Sequence, residues 1–318
     1  MERHPTFSSH PPCLLALPDP CQNPYTRGVN TLTVLDTGFC TGLEAAALHG
    51  GRGVRLEFHA LAFLAEHPTE GLTLFDTGYA PRVLGAMRHF PFQIQGALTP
   101  TFHAEGQTVR EQLLRLGIAP RDVRRVIVSH FHADHVGGLR DFPHSTVVCS
   151  SAALLDALER RGLRALQRGM LPGLVPEDVL TRAQTVDAFP DEALPHLGHT
   201  FDLFGDGSVR LVALPGHARG QLGALVQTVG GPVLLAADGC YLSRNYRENR
   251  PASPLLNLIS DDGRAAQRTL SALHCFWLER PEVQIWPTHC PEVLTHAISS
   301  ERVSSEPVSS ERVSSEAV

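Results

Sequence analysis

The chain is 318 residues long with a formal net charge of −6, and all 27 of its basic residues are arginines. An acidic balance argues against nucleic acid as a partner, because neutralising phosphate requires a basic surface. No apolar run approaches the roughly 20 residues of a membrane helix, and seven cysteines without a Cys-x-x-Cys pair suit free thiols in a reducing compartment.

Residues 1–25 are rich in Pro, Ser and His and read as an irregular arm, with His4 and His10 solvated. Within it, Cys13-Leu14-Leu15-Ala16-Leu17 is bounded by prolines and is too short for the apolar core of a secretion signal, so a cytoplasmic location is expected. Strand-like stretches follow at Thr31 to Leu35, Val54 to Ala65 and Leu72 to Phe75. Asp36-Thr37-Gly38, after the first of them, reads as a turn. Residues 80–104 carry Met87, Phe90, Phe92, Ile94 and Phe102 among glycines and prolines, and Phe90 and Phe92 are the candidates for a substrate-pocket wall. Thr108-Val109-Arg110-Glu111 is a capping-box pattern opening a helix with Val109, Leu113, Leu114 and Leu116 on its inner face.

The apolar run Val123 to Val128 reads as a buried strand, and Ser129-His130-Phe131-His132-Ala133-Asp134-His135 follows it directly, closed by the turn signal Gly137-Gly138. In an extended segment alternate side chains share a face, so His130 and His132 can point to one metal. The adjacent Asp134 and His135 require the chain to turn and can serve a second position. Imidazole is a common ligand for borderline divalent ions, and a carboxylate adds charge compensation. Further on, Ala152 to Met170 reads as an amphipathic helix, Val226 to Val229 and Val233 to Ala237 as a hairpin around Gly230-Gly231, and Ala265 to Leu278 as a helix offering Leu270, Leu273 and Trp277 to a sheet. From Ser299 onward, Ser-Ser-Glu-x-Val units are too short to bury a core, so residues 298–318 read as a disordered tail. The metal motifs span the middle and both flanks, so residues 26–297 are expected to form one domain.

His130-Phe131-His132-Ala133-Asp134-His135 resembles the signature of the metallo-β-lactamase superfamily. Three later segments are similar to the rest of that pattern, in order: Pro215-Gly216-His217 after a strand, Leu234 to Asp238 ending a strand in an aspartate, and Val283 to Trp286 leading through Pro287-Thr288 to His289. The resemblance implies an α/β fold, the four-layer αββα sandwich, and two divalent metal ions. One would be held by His130, His132 and His217 and the other by Asp134, His135 and His289, with Asp238 shared. Such a pair activates a bridging hydroxide for hydrolysis. An all nitrogen and oxygen set suits zinc first and admits iron, manganese or cobalt. Asp76, in Leu74-Phe75-Asp76-Thr77-Gly78, either accepts an imidazole N–H behind the ligands or simply caps a turn.

Within the superfamily the chain looks most like the N-acyl homoserine lactonases, which carry a tyrosine three residues after the shared aspartate, where Tyr241 stands. The resemblance implies that Tyr241 donates a hydrogen bond to the substrate carbonyl and that Asp134 relays a proton to the leaving ring oxygen. A packed, half-buried tyrosine is the alternative. Gln221 replaces the second histidine of the lactonases' Pro-Gly-His-x-x-Gly-His, and Cys290 stands where they often carry an acid. Cys240 and Cys290 read as small buried hydrophobes. A small-molecule lactone or other ester is the expected partner, with no nucleic acid and no membrane, and a homodimer is admitted. Two other readings stay open. One is a different hydrolase on the same metals, a phosphodiesterase or a glyoxalase-II-like thioesterase that would use Arg244, Arg247 and Arg250 as an anchor; the other is a non-catalytic nucleic-acid or metal-binding module.

Overall fold

A computed structural model describes residues 28, 29, 31–257 and 259–295. The sequence-based arm at 1–25 and tail at 298–318 lie outside the described residues. Among these residues the strands are β1 (Thr31–Leu43), β2 (Arg55–His67), β3 (Gly71–Phe75), β4 (Thr101–Phe102), β5 (Val123–Ile127), β6 (Thr146–Cys149), β7 (Ala183–Thr185), β8 (Asp191–Leu194), β9 (Gly198–Asp202), β10 (Val209–Ala213), β11 (Leu222–Thr228), β12 (Gly231–Ala237) and β13 (Gln284–Pro287). Interspersed are the helices α1 (Glu44–Ala47), α2 (Pro81–Ala86), α3 (Gln93–Leu98), α4 (Val109–Arg115), α5 (Ala133–Val136), α6 (Ser151–Glu159), α7 (Gly162–Leu166), α8 (Val179–Arg182), α9 (Ser243–Arg247), α10 (Pro254–Asn257) and α11 (Gly263–Glu279).

The strands form two sheets, one ordered β4-β1-β2-β3-β5-β6-β7 and the other β13-β12-β11-β10-β9-β8. Alternation along each strand explains why they stack. Leu74, Val126 and Val147 face an outer core with Leu113, Phe131, Leu139 and Leu154, whereas their neighbours Phe75, Ile127 and Val148 face the second sheet. From that sheet Leu211, Leu222, Ala224 and Leu235 meet them, while Val212, Leu225 and Leu234 turn outward onto Leu270, Leu273 and Phe276 of α11. Helices therefore cover both outer faces, giving the αββα sandwich.

The capping box at Thr108 forms, with Glu111 N–H donating to Thr108 Oγ1 at 3.1 Å and Thr108 N–H donating to Glu111 Oε2 at 3.1 Å. Val109 and Leu113 are buried, but Leu114 and Leu116 are 46% and 56% exposed, against the sequence-based expectation. The helix ends at Arg115, so Leu116 falls just past it, and Leu114, next to the buried Leu113, points about 100° away from the inner face. Ala152 to Met170 is not one helix either: α6 stops at Glu159, Arg160 and Arg161 are extended, and α7 begins at Gly162 with φ 53°. Asp36-Thr37-Gly38 is likewise no turn. It lies inside β1, where the register slips between Asp36 and Phe39 and makes a β-bulge.

Candidate metal centre

Strands of both sheets end at one edge of the sandwich in loops that carry the candidate donors. β5 runs into His130 and His132, then α5 turns the chain so that Asp134 and His135 face inward. β10 leads to Pro215-Gly216-His217, β12 to Asp238 and β13 to His289. The Pro-Gly-His loop is clamped on the start of α11: Asp262 N–H donates to Gly216 O at 2.9 Å, Asp261 N–H to His217 O at 3.0 Å, and Thr269 Oγ1 to Pro215 O at 2.6 Å. Gly216 sits at φ 131°, and an added Cβ would collide with the Ala266 backbone, so only glycine allows this approach. Ala237, just before Asp238, holds a strained φ of 45°.

The structure brings together all seven residues singled out as metal ligands. Donor atoms of His130, His132 and His217 lie within 4.8 Å of one another, as do those of Asp134, His135 and His289, and those of His130, His135 and Asp238. Asp238 sits between the first two groups, with Oδ2 3.2 Å from His217 Nε2 and 3.0 Å from His289 Nε2, and Oδ1 3.3 Å from His135 Nε2. Asp134, with a fifth of its side chain exposed, lies 3.6 Å from His289 Nε2.

Four of the five imidazoles use Nδ1 outward and turn Nε2 to the centre. His135 Nδ1 donates to Asp76 Oδ2 at 2.7 Å, and His289 Nδ1 donates to the carbonyl of His59 at 2.6 Å. Ser129 Oγ donates to Asp76 Oδ2 at 2.7 Å, which leaves its oxygen to accept from His130 Nδ1 at 3.0 Å. His217 Nδ1 is 2.9 Å from the Tyr241 hydroxyl. Only His132 is reversed, its Nδ1 lying 2.9 Å from His217 Nε2. Outer partners of this kind fix tautomer and ring orientation in metal sites. Asp76 thus meets both readings of its sequence context: it takes the left-handed φ of 61° of a turn residue and accepts from His135, from Ser129 Oγ and from Ser129 N–H at 2.8 Å. Ser129 and His59 escaped the sequence reading. Ser129 at least adjoins the cluster, whereas His59 contributes through its carbonyl, which no side-chain pattern marks.

The electrostatics ask for a cation. Burial, reinforced by the neighbouring imidazoles, pushes His130 and His132 well below the usual histidine range, which keeps their lone pairs free. Burial also works against charge on His135 and His289, yet Asp238 and the other carboxylates outweigh it and raise both. Asp238 is buried as well, but His289, His135 and His217 hold it well below the usual carboxylate range. His130 Nε2, His135 Nε2 and Asp238 Oδ1 are buried without a hydrogen-bond partner among the described residues. Orphaned buried polar atoms are costly, and three of them facing one another in a nitrogen and oxygen set fit divalent metal ions.

A cavity of about 30 Å³ opens beside His217, Asp238 and Tyr241 and is walled by Pro251, Ser260, Gln267 and Leu270. Phe90 and Phe92 do not line it: Phe90 is 72% exposed, and the half-buried Phe92 packs on the outer core. Gln221 is buried and donates from Nε2 to Leu214 O at 3.1 Å, a loop-bracing role. Cys240 and Cys290 are buried free thiols; Cys240 packs with Leu270 and Leu273 as a small hydrophobe, whereas Cys290 Sγ also accepts from Ser243 N–H at 3.3 Å.

An αββα sandwich with two His/Asp clusters at one edge defines a metal-dependent hydrolase. The family model described as metallo-beta-lactamase superfamily matches residues 55–289, and the chain belongs to that superfamily. It is 29% identical over 252 residues to the N-acyl homoserine lactonase AttM of Azorhizobium caulinodans, an alignment covering 77% of this chain and 87% of that relative. It is 30% identical over 263 residues to the metallo-hydrolase mfmC of Annulohypoxylon moriforme, covering 76% of this chain and 63% of that relative, so it spans just under two thirds of that relative's length. In fold it matches an AiiA variant of B. thuringiensis solved with N-decanoyl-L-homoserine at its active site, with TM-score 0.66, 20% identity, and 85% and 96% of the two chains covered. Among the described residues no helix is long and apolar enough to cross a membrane.

Proposed function

We propose that this chain opens the lactone ring of N-acyl homoserine lactones at two divalent ions, zinc by the chemistry of the ligand set. His130, His132 and His217 would hold one ion and Asp134, His135 and His289 the other, with Asp238 between them. When bound, such ions acidify water and polarise a carbonyl. The observation that carries the reading is the hydroxyl of Tyr241, a residue lining the cavity, 2.9 Å from His217 Nδ1. With His217 Nε2 turned to the centre, its hydrogen sits on Nδ1 and donates to the tyrosine oxygen. The phenolic hydrogen is then free to donate to a carbonyl oxygen as negative charge develops on it. In the metal-free protein burial, aided by Asp238, holds the Tyr241 phenol well above its ordinary range. Asp134, at the accessible side of the centre, would hold the proton delivered to the leaving ring oxygen.

The names of the relatives support a lactone, and the arginines weigh against a thioesterase anchor. Arg244 pairs with Glu44 and Glu248, Arg247 with Glu292, and Arg250 with Glu248, so none of the three offers an uncommitted guanidinium. The test is acid release from short- and long-chain N-acyl homoserine lactones by metal-loaded protein and its Tyr241→Phe variant. Ring opening that falls about 10²-fold in kcat for Tyr241→Phe, the usual loss for one oxyanion donor, is the expected result. No opening by metal-loaded native protein would reject the reading.

A further inference from the structure

The first Asp-Thr-Gly plays no part in the chemistry above, yet the fold locks it onto the second. Asp36 faces Leu61 and Phe39 faces His59, so Thr37 and Gly38 together oppose the single residue Ala60. Inside this bulge Thr37 is fully buried, donating from Oγ1 to Ala60 O at 2.6 Å and accepting from Tyr79 N–H at 2.8 Å. Tyr79 directly follows Asp76-Thr77-Gly78, and Gly78 passes so close that an added Cβ would collide with Thr37 Oγ1. Ala60 directly follows His59, whose carbonyl accepts from His289 Nδ1. Asp36 Oδ2 lies 3.1 Å from His59 Nδ1 and steadies the same residue. One buried hydroxyl therefore joins the backbone that orients His289 to the turn whose Asp76 orients His135. Thr77 completes the joint by donating from Oγ1 to His135 O at 2.9 Å.

We propose that Thr37 is a positioning residue for the Asp134, His135 and His289 cluster, holding two of its three donors in register through their outer partners. The inference rests on the metal-binding reading above. Removing the hydroxyl leaves Ala60 O and Tyr79 N–H unpaired in a buried place and unpins two backbones at once. The His130, His132 and His217 group lies one link further away: Ser129, which accepts from His130 Nδ1, leans on Asp76, while His217 is held by Tyr241 and the start of α11, so this group should suffer less.

The experiment is a zinc titration of metal-free protein against a competing chelator, comparing native protein with Thr37→Val, Thr37→Ser and Thr73→Val. Valine keeps the shape and removes the hydroxyl; serine keeps the hydroxyl. Thr73→Val controls for losing a buried strand hydroxyl, since Thr73 Oγ1 has no hydrogen-bond partner among the described residues. The native protein should take two ions. Thr37→Val should bind one ion about 10-fold more weakly, the low end of the cost of losing an outer partner, since Thr37 acts through such partners, and the other with a smaller loss. Thr37→Ser and Thr73→Val should behave as native. Two native-affinity ions in Thr37→Val, equal weakening of both, or equal weakening in Thr37→Ser would overturn the proposal. Should Thr37→Val fail to fold, Thr37→Ala, which admits water to the freed groups, carries the same test. A native protein that takes up no zinc would overturn the metal reading itself, and this inference with it.

Discussion

The two sheets furnish the centre in opposite ways. The seven-stranded sheet delivers four candidate donors, His130, His132, Asp134 and His135, from one loop of six residues, whereas the six-stranded sheet delivers His217, Asp238 and His289 from three loops spread over 73 positions of sequence. The first set is arranged largely by local chain geometry, a strand end followed by one helical turn. The second depends on packing between distant elements for His217, held by the start of α11, and for His289, held by the β2 carbonyl of His59, while Asp238 is set locally by the strained Ala237. Asp238 is where the two contributions meet, which makes it the most informative residue to remove.

Asp238→Ala should therefore have the largest effect. It withdraws the one carboxylate shared by both groups, and hydrolysis by zinc-supplied protein should fall more than about 100-fold, beyond the loss expected for an outer partner. Retention of near-native turnover would show that the two sheets do not depend on a common group. Asp76→Asn is the next step down and acts within the first sheet alone. Both carboxylate oxygens accept, so the amide must turn its NH2 either to Ser129 N–H or to His135 Nδ1, donor against donor, and zinc affinity should weaken about 10- to 100-fold while the fold, followed by circular dichroism, persists. An unchanged affinity would make Asp76 a turn residue only.

The smallest effect tests the joint between the halves. Glu44, the first residue of α1, bonds Arg52 and also meets Arg244 on α9, and the Arg52 guanidinium and N–H hold its carboxyl down to about 2. A carboxyl with a lowered folded-state pKa stabilises the protein above its unfolded pKa near 4.5, and that stability is lost as the pH falls towards about 2. Glu44→Gln should melt slightly below native protein at pH 7, with the gap closing between pH 4.5 and about 2. Arg52 is largely exposed, so the gap at pH 7 should be small. A gap that widened on acidification would contradict this assignment.

The same contrast explains what the sequence disclosed. His-x-His-x-Asp-His is legible because its geometry is local, and the three later segments became legible only through their order along the chain. The outer partners divide similarly. Asp76 could be suspected from its Asp-Thr-Gly, but the His59 carbonyl could not, because backbone atoms carry no residue signature. Asp36-Thr37-Gly38 misled for a physical reason: residues that suit turns also suit bulges, and only the pairing partner distinguishes them. Leu116 and the split between α6 and α7 were misread at helix ends, where apolar spacing outlasts the hydrogen-bonded helix, and Leu114 because it adjoins Leu113 instead of lying a turn from it.

The central claim is that both sheets contribute to one centre of two metal ions. It is tested most directly by dialysing metal-free native protein and Asp238→Ala against zinc and measuring bound metal by mass spectrometry. Two ions per native chain, with fewer than two in Asp238→Ala at the same free zinc, is the result expected. A single ion per native chain, or two retained equally by both proteins, would contradict it.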